Sequence, residues 1–75
     1  MRYKAKICAA ITQALPLLQS ATADEAVLWN IEQERDILCM EFTSSLSFES
    51  LELGFKQAAE QFGINHQISI LKLRG

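Results

Sequence analysis

The stretch RYKAKICAAITQALPLLQSA, residues 2–21, decides the fold, because its two readings give different sheets. Read with a helical period, Tyr3, Ile7, Ala10, Ile11, Ala14, Leu15, Leu18 and Ala21 recur at steps of three and four. That is the stripe of an amphipathic helix, and Ala, Lys, Gln and Leu are good helix formers. Pro16 would interrupt it, since proline has no N–H for the Thr12 carbonyl and its ring crowds the preceding turn, so a kink or break is expected there. Read with a period of two, Tyr3, Ala5 and Ile7 alternate with Arg2, Lys4 and Lys6, which makes Arg2–Cys8 a strand and starts the helix near Ala9. The obstacle to the strand is Cys8-Ala9-Ala10-Ile11, which holds no Gly, Asn, Asp or Pro to reverse the chain. The helix is therefore the expectation and the strand its alternative.

Downstream, both readings share the same elements. Val27-Leu28-Trp29-Asn30-Ile31 and Ile37-Leu38-Cys39-Met40-Glu41-Phe42 are rich in strand formers and flank the polar Glu32-Gln33-Glu34-Arg35-Asp36, the pattern of a β-hairpin. Thr22-x-x-Glu25 competes as a capping box, but the run after it lacks a clean helical stripe, so the strand is preferred. Phe48, Leu51, Phe55, Ala58, Ala59 and Phe62 fall on one helical face. Ser47 can cap that helix, Leu46 and Leu51 have the spacing of a hydrophobic staple, Glu49 suits the positive end of the dipole, and Gly63 can end it in a left-handed conformation. Gly54, inside the helix, predicts a close contact with the sheet. Ile64 to Leu73 alternates loosely and reads as a last strand.

The order is αββαβ, or βαββαβ if Arg2–Cys8 is a strand, the latter being the ferredoxin-like plan. Either way the expected class is α+β: a two-layer sandwich of a mainly antiparallel sheet with two helices on one face. At 75 residues, 49% hydrophobic and 21% charged, residues 1–75 form a single domain that should fold, with a margin small enough for a partner subunit to matter.

The net charge of −2 gives no general attraction to nucleic acid or anionic membrane. Its distribution is uneven, because Arg2, Lys4, Lys6, Lys72 and Arg74 sit at the chain ends while every acid lies between Asp24 and Glu60. These five residues are the candidate anion-binding group if the ends meet in space. The closing Leu71-Lys72-Leu73-Arg74-Gly75 is similar to the Leu-Arg-Gly part of a ubiquitin tail, but it lacks the second glycine and follows no ββαββ order, so it assigns no family.

No constellation points to catalysis, a metal or a cofactor. His66 is the single histidine, the glycines stand alone, and Cys8 and Cys39 have neither CxxC nor zinc spacing. Thr43, Ser44, Ser45, Ser47 and Ser50 suit turns and caps, and Glu32, Glu34 and Asp36 a solvated turn. The two cysteines, among apolar neighbours, are expected as buried free thiols in a reducing, cytoplasmic compartment. Secretion is the alternative, because Arg2, Lys4 and Lys6 precede the apolar Ile7–Leu18 and Ala21-Thr22-Ala23 has the form of a cleavage site, which would make residues 1–23 a signal peptide. No stretch is long and apolar enough to span a membrane.

The functional expectation is a small non-catalytic interaction or regulatory module that pairs with itself or another protein. Strict alternation through the hairpin would put Val27, Trp29 and Ile31 on one face and Leu28 on the other, with Ile37 and Cys39. Leu28, Ile37 and Cys39 are thus the candidate interface on the sheet face that two helices leave bare. Nucleic acid or another anion is the alternative ligand.

Overall fold

In the computed structural model, which describes residues 1–64 and 68–73, Arg2–Cys8 is a strand, β1, and not the start of a helix. The period of two wins because it buries Tyr3, Ala5 and Ile7 while leaving Arg2 and Lys6 in solvent. The missing turn residues are replaced by two glutamines. The Gln13 side chain accepts from the Ala10 N–H at 3.2 Å, while that of Gln33 accepts from the Ile11 N–H at 2.9 Å and donates to the Ala9 carbonyl at 2.8 Å. The reversal is completed by a single 3-10 turn, Ile11–Gln13, leading into helix α1, Ala14–Thr22. Pro16 consequently lies in the first turn of α1, where its absent N–H costs little, and the helix runs on through it to Thr22 instead of breaking there.

Helix α1 ends on two successive left-handed residues, Ala23 (φ 52°) and Asp24 (φ 63°), with the Asp24 N–H donating to the Gln19 carbonyl at 3.0 Å. A Cβ is disfavoured in this conformation. Ala23→Gly is therefore expected to raise stability by about 0.5–1 kcal/mol, the relief of strain outweighing the added freedom of the unfolded chain. A lower melting temperature for the variant would contradict it.

Strands β2 (Val27–Glu34) and β3 (Ile37–Thr43) form the expected hairpin around a two-residue turn in which Arg35 has φ 56°. Helix α2, Phe48–Gln61, follows the sequence reading closely. The Ser47 hydroxyl accepts from the Ser50 N–H at 3.2 Å, and Gly63 (φ 69°) closes the far end. There the Ile64 N–H donates to Ala59 at 2.8 Å and the Gly63 N–H to Glu60 at 3.2 Å, the paired bonds of a Schellman cap. The last strand, β4, is Ile68–Leu73.

The four strands form one antiparallel sheet in the order β2-β3-β1-β4, which with the helix positions is the ferredoxin-like βαββαβ arrangement. Both helices cover one face. Tyr3, Ala5 and Ile7 of β1 and Leu38, Met40 and Phe42 of β3 pack there against Ala14, Leu17 and Leu18 of α1 and Leu51, Phe55, Ala58 and Ala59 of α2. Residues 2–22 therefore supply much of the core. At Gly54 the two helices pack closely: a Cβ built on it would lie 2.1 Å from the Ala21 carbonyl oxygen. The close contact is thus helix to helix, not helix to sheet as expected: Gly54 flanks the core-facing side of α2, whose contact with the sheet is made by Phe55 on Phe42.

Candidate interaction surface

No described element covers the sheet face away from the helices, and the register fixes what it displays. Directly opposed residues of an antiparallel pair share a face. The outer face accordingly carries Val27-Thr43-Arg2-Leu73, then Asn30-Glu41-Lys4-Leu71, then Glu32-Cys39-Lys6-Ser69, then Glu34-Ile37-Cys8. Charge runs along strands: Arg2, Lys4 and Lys6 on β1, Glu32 and Glu34 on the β2 edge, and Glu41 between them. The Lys4 ammonium is 4.0 Å from Glu41, which also accepts from the Asn30 amide at 3.1 Å. Apolar side chains stand around this charged centre, with Ile37 43% and Leu71 59% exposed.

One candidate interface residue is not on this face. The β2–β3 register shifts between Leu28 and Asn30, which makes Trp29 an inserted, bulged residue. Alternation restarts after it, so Leu28 and Ile31 both turn inward against the core, and the expected grouping of Leu28 with Ile37 and Cys39 is corrected. Ile37 and Cys39 do share the outer face. Trp29 is exposed there, and the Arg2 guanidinium lies 4.0 Å over its ring. The bulge carries no glycine that could have announced it.

The basic residues are likewise divided. Lys72 is opposite Tyr3, on the helix side of the edge strand, away from Arg2, Lys4 and Lys6. Arg74 and His66 lie outside the described residues. The cysteines also depart from expectation: both are free, but Cys8 is exposed and Cys39 half-buried, because each has the outward parity of its strand. Among the described residues, no cluster of three or more His, Cys, Asp or Glu side chains could hold a metal ion. Among the described residues, no helix is long and apolar enough to cross a membrane.

Beside α2 the edge strand β4 borders a shallow groove of about 310 Å3, lined by Glu49, Glu52, Leu53, Lys56, Ile68 and Ile70. Leu53 is 58% exposed within it. It falls off the apolar stripe of α2, so helical periodicity alone leaves it without a role.

The hydroxyl-rich loop before α2 has structural work. The Glu25 carboxylate accepts from the Ser44 hydroxyl at 2.6 Å and from the hydroxyl and backbone N–H of Ser45, instead of capping a helix with Thr22. These bonds, led by Ser44, hold the Glu25 carboxyl below its ordinary range. A lowered folded value means that the carboxylate's contribution is present above the unfolded value and lost as pH falls through the folded one. Melting temperatures taken from neutral to acid pH should therefore fall more steeply for the wild type than for Glu25→Gln, with the curves converging in acid. Parallel curves would contradict this role.

Comparison with protein-family models, with curated proteins and with solved structures finds no match to this chain.

Proposed function

We propose that this chain is a small non-catalytic protein-interaction module that works by self-association, using the part of its sheet that the helices do not cover. The observation that carries the reading is the uncovered face and edge, where Val27, Trp29, Ile37 and Leu71 stand exposed around paired rows of opposite charge. Large apolar side chains grouped beside complementary charge suit a protein surface, and a two-fold pair is the commonest way for one chain to cover its own patch. The test is sedimentation of the wild type and of Ile37→Glu at micromolar concentration. A wild-type dimer supports the reading, and if its contact uses the outer face the substituted carboxylate breaks it, because the charge would enter the seam. A wild-type monomer throughout that range overturns the reading.

One observation favours anion binding as a second reading, namely the line of Arg2, Lys4 and Lys6 on β1. Against it, Arg2 is engaged on Trp29, Lys4 stands beside Glu41, and Glu32 lies across β3 from Lys6. If the row does bind nucleic acid, affinity for a random-sequence oligonucleotide must fall steeply with salt. Weak, salt-insensitive binding excludes it.

A further inference from the structure

We propose that the β4 edge is where a second copy of this chain pairs, strand against strand, and that Lys72 of each copy docks in the α2–β4 groove of the other. The inference rests on the self-association reading above but places the contact at the β4 edge and on its helix side, leaving Val27, Trp29 and Ile37 outside it. The two edges of the sheet are built differently. The β2 edge bears Glu32 and Glu34 and is bent by the bulge at Trp29, devices that discourage further strand pairing. The β4 edge pairs with β1 in unbroken register from Ile68 to Leu73, and Lys72 is its single charge. Its outward backbone groups form a template for another strand.

Symmetry and charge select the second copy as the occupant. Two antiparallel β4 strands related by a two-fold axis normal to the sheet keep their helices on the same side. Opposed residues must then have the same parity, since they share a face. The two registers that overlap most of the strand are centred on Ile70 or Leu71, and they place Lys72 opposite Ile68 or Ile70 of the other copy. Those isoleucines line the groove whose wall carries Glu49 and Glu52, against one base, Lys56. Because Lys72 is on the helix side of β4, its ammonium reaches this acidic wall while its methylenes cover Leu53 and the isoleucines. The two-fold makes the contact twice.

Sedimentation equilibrium of the full chain tests this with four variants. Lys72→Glu should weaken the dimer at least ~10-fold by setting a carboxylate against Glu49 and Glu52, and the triple exchange Lys72→Glu, Glu49→Lys, Glu52→Lys should restore most of the loss. Circular dichroism checks that these exposed substitutions leave the fold intact. If Lys72→Ala strengthens association, Lys72 is a guard of the edge and the inference is overturned. A dimer insensitive to Lys72→Glu but broken by Ile37→Glu overturns the edge contact and leaves self-association standing, whereas a monomeric wild type ends both.

Discussion

Replacing Phe55 with alanine is expected to remove most of the folded population. Phe55 is fully buried on α2, its ring centroid 5.8 Å from that of Phe42 on β3, which in turn lies 5.8 Å from Tyr3 on β1. This aromatic series ties the helical layer to the two central strands. Truncation removes the ring from a site that collapses only in part, at a cost of about 3–5 kcal/mol. A single core in a chain of this size supplies roughly 3–5 kcal/mol in total, so loss and reserve are of the same size. Urea titration followed by circular dichroism should show the cooperative transition displaced to very low denaturant or abolished. An unchanged midpoint would mean that Phe55 is not in the core.

Gly54→Ala should be the most damaging of the small substitutions. The added methyl would meet the Ala21 carbonyl oxygen at 2.1 Å, and backbone on a packed helix cannot rotate aside as a side chain can. α1 and α2 would have to separate, loosening Leu17, Leu18 and Ala58 at once. The cost should reach or exceed the top of the roughly 1–3 kcal/mol typical of overpacking, despite the higher helix propensity of alanine. Ala58→Gly, in the same helix but without this clash, is a useful control, losing propensity and one buried methyl. A Gly54→Ala protein that melts at or above the wild-type temperature would contradict the close crossing.

The contrast between α2 and β1 shows which features were legible in the sequence. Helix α2 was readable because its determinants are local: a stripe of Phe and Leu, Ser47 at one end and Gly63 at the other. For β1 the alternation of Tyr3, Ala5 and Ile7 was equally visible, but the turn that permits a strand is held in part by Gln33, which comes from another strand. Non-local hydrogen bonds leave no mark at the residues they serve, so the stretch reads as turnless and its sequence points to a helix. The same reason hides the partner of Glu25, whose local spacing to Thr22 suggested a capping box while its bonds go to Ser44 and Ser45. For the surface, the outward parity of Ile37 and Cys39 followed from the strand period alone. Leu28 was misplaced by one residue of bulge, and the groove beside Leu53 emerges only when α2 is laid against β4.

Amide hydrogen exchange resolved by residue, at low and high protein concentration, tests the central claim most directly, because it reads the sheet edges themselves. Pairing of β4 with a second copy predicts that the β4 amides directed away from β1 gain protection as concentration rises, while the outward amides of β2 exchange at a constant rate. Exchange along β4 that is independent of concentration over the whole range, and as fast as at the β2 edge, would contradict it.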